Sequence, residues 1–167
     1  MDIRRFKESD FERVQDIYQQ GIATGNATFQ SQRKSWLQWQ NSMLENTTLV
    51  ITQGNTSLVP EVLGWAGLSA ISSREVYSGV AEISIYVAAD AAGRGVGKKL
   101  FKALIAHSES LDFWTLQAAI FPENTASIAL HDSVGFKVIG RREALGKMQG
   151  VWRDVILLER RSTTVGL

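Results

Sequence analysis

The chain has 167 residues, 44% hydrophobic and 21% charged, with a net charge of +1; this suits one domain with a sizeable core and gives no general electrostatic reason to bind nucleic acid or a membrane. No cysteine and only two histidines are present, which excludes a disulfide framework, a thiol nucleophile and a Cys-ligated metal, and argues against any metal site. No run of about 18 apolar residues marks a membrane span, and the start MDIRRFKESD lacks a signal peptide's apolar region, so the expected location is cytoplasmic.

Ile3 to Phe6 reads as a first strand. Ser9, with Glu12 three residues on and an apolar periodic run behind it, reads as a capping box. The helix that follows carries Phe11, Val14, Ile17, Tyr18 and Ile22 on one face and ends near Gly25. Gly25 to Phe29 is a loop of small and polar residues with one aromatic. Ser35 caps a second helix containing Trp36, Leu37, Trp39, Met43 and Leu44, whose tryptophans belong to the core. Thr48 to Gln53 is strand-like, and Gly54 with Asn55 supplies a turn. The next strand runs from about Glu61 to Ile71, where Gly64 and Gly67 mark a bulge or a close contact. Ser72 to Gly79 is a loop holding Arg74 and Tyr77.

The stretch from Ala81 to Leu104 organises the rest. Ile83, Ile85 and Val87 alternate with Glu82, Ser84 and Tyr86, which places an apolar row on one face of a strand and a polar row on the other. Gly93, Gly95 and Gly97 then surround Arg94 and Val96, and a helix follows with Leu100, Phe101, Leu104 and Ile105 as its buried stripe. A glycine loop that feeds a helix N-terminus is a ready anion site, because free amides and the helix dipole point the same way. Lys98 and Lys99 lie in the first turn, where positive charge opposes the dipole; with Arg94 they are easier to understand if a phosphate group binds there.

Phe113 to Phe121 is a mostly apolar strand, as expected of one covered on both faces. Pro122 and Asn124 end it. Asn124 caps a helix that carries Ile128, Leu130 and Val134, and Gly135 is its C-terminal stop. Phe136 to Gly140 begins another strand, Gly146 to Gly150 makes a turn, Val151 to Leu158 is the last strand, and residues 161–167 look like a frayed tail. The order implies one α/β domain over residues 1–160, with a mostly antiparallel sheet and a parallel pair where the glycine-loop helix crosses over.

The loop Ala92-Gly93-Arg94-Gly95-Val96-Gly97 is not a Walker loop, since Ala92 and Lys99 occupy the first Gly and the Ser/Thr positions, and its glycine spacing does not fit a dinucleotide fingerprint. Except at Ala92 it follows the order R/Q-x-x-G-x-G/A of an acetyl-CoA loop, and the stretch resembles the GNAT superfamily of N-acetyltransferases. The resemblance covers nearly the whole chain and narrows to the branch of phosphinothricin and methionine sulfoximine/sulfone acetyltransferases. It is carried by Asn26-Ala27-Thr28-Phe29, Arg74 with Tyr77, Glu82-x-Ser84-Ile85-Tyr86-Val87, Asn124-x-x-Ser127-Ile128-Ala129-Leu130-His131, Gly135-Phe136, and Gly146-Lys147-x-x-Gly150-x-Trp152-x-Asp154. The chain departs from the family at Ala92, where Arg or Gln is usual, at Ile83, where many members carry His, and at Val80, where Thr is common. The first departure removes a side-chain donor to a pyrophosphate; the other two bear on which amine is accepted.

The resemblance implies an α+β fold, a sheet of about seven strands flanked by about four helices, and acetyl-CoA as co-substrate. It places Tyr86, Val87, Arg94, Gly95, Val96, Gly97, Lys98, Lys99, Asn124 and Ser127 against the cofactor, and Phe29, Arg74 and Tyr77 around the substrate. Glu82 is the candidate base, because amide formation needs a neutral amine and a carboxylate can take the ammonium proton directly or through water; the plain alternative is a surface strand carboxylate. His131 is the candidate donor to the departing thiolate; the alternative is a helix histidine that packs locally. The Val87 amide is a candidate to polarise the thioester carbonyl, and the Arg74 guanidinium fork suits an amino-acid carboxylate. In relatives the hairpin holding Lys147 and Trp152 reaches a dimer interface, so a homodimer is expected. His107 is given no role. The function implied is acetylation of a small primary amine, an amino acid or an analogue, in a ternary complex. A protein N-terminus, a polyamine or a silent acyl-CoA-binding module are the alternatives.

Overall fold

The computed structural model describes residues 1–54 and 60–167. Among them the periodicities resolve into β1 (Asp2–Arg5), α1 (Phe11–Ala23), α2 (Trp36–Ser42), β2 (Leu49–Gln53), β3 (Glu61–Ala70), β4 (Val80–Val87), α3 (Val96–Ser110), β5 (Thr115–Ile120), α4 (Thr125–Asp132), β6 (Lys137–Met148) and β7 (Val151–Arg161). The strands form one sheet in the order β1-β2-β3-β4-β5-β7-β6. Every neighbouring pair is antiparallel except β4 and β5, which α3 joins as a crossover. This is the mixed, mostly antiparallel α/β sheet that the element order implies. Among the described residues no helix is long and apolar enough to cross a membrane.

The core forms where β2, β3 and β4 meet helices on both faces. Val62, Leu63, Trp65, Ala66 and Leu68 of β3 are buried, as are Leu100, Phe101 and Leu104 of α3 and Val14, Ile17 and Tyr18 of α1. Each large apolar side chain on α3 contributes about 1.5–3 kcal/mol by leaving water. The two faces of β4 are told apart by their contacts. A Cβ on Gly97 of α3 would lie 3.5 Å from Val87 Cγ2, so Val87 faces α3. The Tyr86 ring meets Tyr18 of α1 edge-on at 5.1 Å and stacks on Trp65 at 5.0 Å, so Tyr86 faces α1. Alternation then puts Glu82 and Ser84 on the α1 face with Tyr86.

That packing corrects one expectation. Tyr86 belongs by sequence to a polar row, yet its ring is wedged under α1, where even a methyl on Gly21 would meet it at 2.7 Å. Burial, and then the neighbouring Tyr18 phenol, push its own phenol well above the usual range, so it stays protonated.

Local chemistry explains the remaining differences. The Ser9 capping box does not form; α1 begins after a 3-10 turn over Glu8–Asp10, and its N-cap is Asp10. The Asp10 carboxylate accepts the Lys7 amide at 2.8 Å and both Arg4 nitrogens at 2.7 and 2.8 Å, and such charge-assisted bonds outcompete a serine hydroxyl. The Ser35 box does form, with Ser35 Oγ accepting from the Gln38 amide and Gln38 Oε1 from the Ser35 amide, but α2 stops before Met43 and Leu44. Gly64 sits at a bulge between β2 and β3, whereas Gly67 gives close passage to Met43 and Thr48. Asn55 lies outside the described residues. β6 runs on to Met148, so the expected turn shrinks to Gln149 and Gly150, with φ of 50° and 81°, the pattern of a tight two-residue hairpin.

The tail also differs. β7 extends to Arg161, and Ser162 is buried, its amide donating to Trp114 O at 2.8 Å and its hydroxyl to Glu109 at 2.9 Å. Arg161 donates to the carbonyls of Val165 and Gly166. These bonds tie down a segment whose composition alone reads as frayed.

Candidate active site

Parallel pairing between β4 and β5 covers Val80 with Thr115, Ala81 with Leu116 and Glu82 with Gln117, and no further. Both strands continue, β4 to Val87 and β5 to Ile120. The sheet therefore splits, and a wedge opens between Ile83–Val87 and Ala118–Ile120. Backbone groups on its walls have no strand partner, which in a sheet interior calls for another occupant.

The direction of the wall amides follows from the register. Ala88 donates to Leu63 O at 2.8 Å, on the β3 side. Amides alternate along a strand, so Tyr86 and Ser84 also face β3, and the N–H groups of Val87 and Ile85 face the wedge. The expected Val87 amide thus points into the wedge.

Glu82 stands at the apex, on the last paired rung. It is half-buried, and its Oε2 accepts from Gln117 Nε2 at 3.0 Å. One carboxylate oxygen is fixed by β5, and among the described residues the other has no partner. Ser69 lies opposite Glu82 on β3. Sequence reading missed Gln117 because the two residues are 35 apart and meet only through the parallel register.

At the open end the chain leaves β4, passes a 3-10 turn at Ala89–Ala91 and enters α3. Gly93 and Gly95 take φ of 74° and 76°, a region that favours glycine. Gly95 is the N-cap of α3, and no side chain caps the first turn. Among the described residues no protein acceptor takes the amides of Val96, Gly97 and Lys98, so they and the positive end of the helix dipole are offered outward. Arg94 donates to Gln53 Oε1 and Lys99 to Met1 O at 2.6 Å, while Lys98 is exposed. Both acceptors are neutral, so among the described residues no carboxylate pairs with these cations beside the free amides. The donor set fits a diphosphate.

The other wall is α4. Asn124 Oδ1 accepts from the Ser127 amide at 3.2 Å, which is the expected cap, and Asn124 Nδ2 donates to Asn26 O at 3.2 Å. A Cβ on Gly97 would touch Leu130 at 3.3 Å, so α3 and α4 meet beside the wedge.

His131 lies inside the fold. It is 3% exposed, with Phe101 at 4.7 Å and Phe136 at 5.1 Å, both edge-on to its ring. Its Nδ1 lies 2.7 Å from the Ser127 carbonyl. A carbonyl only accepts, so Nδ1 carries the proton, and in the neutral ring Nε2 has none to give. Burial holds the imidazole below its usual pKa, the Ser127 carbonyl opposing this only in part. The geometry favours the packing alternative over a proton donor, because a buried ring between two phenylalanines resists charge.

The residues expected around the amine are dispersed. Phe29 is 37% exposed and meets Phe121 edge-on at 4.8 Å, above Gly146, where a Cβ would meet it at 2.8 Å. Arg74 lies over the Tyr77 ring at 5.3 Å, in the loop that joins Ser69's strand to Glu82's. Among the described residues Arg74 has no carboxylate partner. Phe29 and Arg74 therefore bracket the wedge from opposite ends of β4 and β5.

Comparison with known proteins places this geometry. Residues 1–137 match the acetyltransferase (GNAT) domain family. The chain is 31% identical over 163 residues to phosphinothricin N-acetyltransferase of Alcaligenes faecalis, covering 95% of this chain and 81% of that one. It is 35% identical over 99 residues to the L-methionine sulfoximine/L-methionine sulfone acetyltransferase of Pseudomonas aeruginosa, a match that spans 59% of this chain and 58% of the relative. A GNAT superfamily phosphinothricin acetyltransferase of Sinorhizobium meliloti, solved in complex with AcCoA, superposes with a TM-score of 0.85 at 27% identity, covering 99% of this chain and 90% of that one. A ribosomal-protein-alanine N-acetyltransferase of Brucella melitensis superposes equally, with a TM-score of 0.85 at 27% identity, covering 97% of this chain and 100% of that one.

Proposed function

Because the chain belongs to the acetyltransferase (GNAT) family, and so is an N-acetyltransferase that uses acetyl-CoA, we propose that it acetylates the primary amine of a small amino acid or analogue by direct attack in a ternary complex. The observation that carries this is the single ribbon from Glu82 to Lys98. It presents a carboxylate at the apex of the wedge, inward amides at Ile85 and Val87, and an uncapped helix end at the mouth. A diphosphate on Val96, Gly97 and Lys98 leads an extended thioester down the wedge, with Asn124 beside its amide-bearing arm.

In this reading the ammonium loses a proton to Glu82, directly or through water. The amine nitrogen then bonds to the thioester carbon, the Val87 N–H stabilises the oxygen that gains charge, an effect of about 3 kcal/mol, and the C–S bond breaks as the second proton leaves the nitrogen for the departing thiolate, which is released as thiol. Without cysteine there is no acyl-cysteine intermediate. His131 enters only as the neutral packing residue between α3 and α4. Arg74 pairs with the substrate carboxylate, and Tyr77 and Phe29 wall the amine. The substrates for which the relatives are named support the amino-acid class; the alanine acetyltransferase keeps a protein N-terminus as the second reading. A homodimer through the β6–β7 hairpin is part of the proposal, supported by exposed Val138, Ile139, Val151 and Trp152.

The test is thiol release from acetyl-CoA with phosphinothricin, methionine sulfoximine, methionine sulfone, spermine and an alanyl peptide. Turnover with the amino-acid analogues that is lost in Glu82→Gln is expected. Turnover only with the peptide, or none with any amine, overturns the assignment.

A further inference from the structure

We propose that Arg153 is a positioning residue that locks the loop bearing Phe29 to the helix cap bearing Asn124, so that one joint sets both the amine side and the acetyl-CoA side of the wedge. The inference rests on the function proposed above. Arg153 sits on β7 with only 13% of its side chain exposed. Nη1 donates to Gly25 O at 3.0 Å, and Nη2 donates to Asn26 Oδ1 at 2.8 Å and to Glu123 at 3.2 Å. The guanidinium plane lies 4.1 Å from the centre of the Phe121 ring, the same ring that Phe29 meets edge-on.

Asn26 is the link. Its side-chain oxygen takes Arg153, and its backbone oxygen takes Asn124 Nδ2 at 3.2 Å. Asn124 in turn holds the Ser127 amide through Oδ1. A continuous run of bonds therefore joins β7, the loop after α1 and the start of α4, just beyond the splayed end of β5. Both faces of Asn124's amide are committed by this run, which fixes the orientation of the residue lying along the wedge. Seating of Phe29 on Phe121 depends on the same guanidinium. A lysine keeps the charge here but has no planar fork to reach Gly25 and Asn26 while stacking on Phe121.

A residue that only fastened β7 to a loop would change stability and leave affinities alone. Wild type, Arg153→Lys, Arg153→Ala, Asn26→Ala and the Arg153→Ala/Asn26→Ala double variant separate the two roles. Acetyl-CoA Kd by calorimetry, KM for methionine sulfone, kcat and Tm are measured, all affinities well below Tm. Expected is a rise of about fivefold or more in both Kd and KM for Arg153→Lys and Arg153→Ala, with kcat at saturation within about threefold. The double variant is expected to be no worse than the single ones, since each breaks the same run. Should Arg153→Ala fail to fold, Arg153→Lys decides the matter. Kd and KM within twofold of wild type, or a change in Tm alone, overturns the proposal while leaving the function intact. Wild-type protein that binds no acetyl-CoA overturns the function, and this inference with it.

Discussion

Gln117 donates its side-chain amide to Glu82 Oε2 at 3.0 Å, across the last rung that β4 and β5 share. Because the strands part immediately beyond, Gln117 is the last β5 side chain able to hold the carboxylate before the wedge opens. A hydrogen bond to a charged group contributes about 1.5–3 kcal/mol, enough to decide which oxygen faces an incoming ammonium. Gln117→Leu should lower kcat/KM by about tenfold with little change in the KM for acetyl-CoA. Glu82→Gln should lose about 10²–10⁴ in rate. Wild-type kcat/KM in Gln117→Leu, with Glu82→Gln inactive, would mean that Gln117 does not act on the base.

Gly93 and Gly95 offer a matched pair. Their φ values are 74° and 76°, and a Cβ on either meets nothing within 4 Å. Alanine at each therefore costs a similar strain of about 1–2 kcal/mol. Only Gly95 is the N-cap of α3, so only there does the positive-φ strain fall on the turn that presents the free amides. Gly95→Ala should raise the acetyl-CoA Kd by about tenfold or more, and Gly93→Ala should raise it far less at equal loss of Tm. Equal effects on Kd would remove the phosphate role from the helix end.

What the sequence made legible is what a local rule governs. The alternation over Ala81–Val87, the glycine loop and the Ser35 and Asn124 caps each depend on residues within a few positions of one another, and they appear where expected. Gln117 and Arg153 were hidden because their partners lie 35 and up to 128 residues away, and only register and topology bring them together. Tyr86 keeps the face that alternation gives it, but its burial was hidden for a different reason. A phenol counts as polar in an alternating pattern, but its ring found Trp65 and Tyr18, and aromatic contact prevailed. His131 likewise has a chemistry-bearing side chain whose surroundings, Phe101 and Phe136, come from other elements.

The C-terminal segment supplies a test of tertiary over local signal. Residues 162–167 show no periodicity, yet Ser162 Oγ donates to Glu109 and accepts the amides of Thr164 and Val165 at 3.1 and 3.2 Å. Glu109 also pairs with Arg160 at 3.0 Å, both side chains about four-fifths buried. Ser162→Ala should destabilise the fold by about 1–3 kcal/mol, by stranding buried groups, and removal of residues 162–167 should cost at least as much. Thermal melts check this; Tm values within error of wild type would return the segment to a loose tail.

His131 predicts how stability varies with pH, and the sign follows from its burial. In the unfolded chain the imidazole takes a proton near pH 6.5, while in the folded protein burial postpones protonation to lower pH. Between those two points the unfolded state holds more protons, so stability rises with pH. The contribution is complete above pH 6.5 and is lost as the pH falls from there toward the folded titration. Tm should therefore begin to drop below about pH 6.5, above the range in which ordinary carboxylates titrate. His131→Phe keeps an aromatic between Phe101 and Phe136 but removes the proton, so its Tm should be flatter between about pH 5 and 7. The same variant weighs the two roles of the residue. If His131 packs, kcat at pH 8 should stay within about threefold of wild type, whereas loss of a proton donor would cost about 10²–10⁴. A rate collapse with an unchanged Tm profile would restore His131 to the chemistry and remove it from the core.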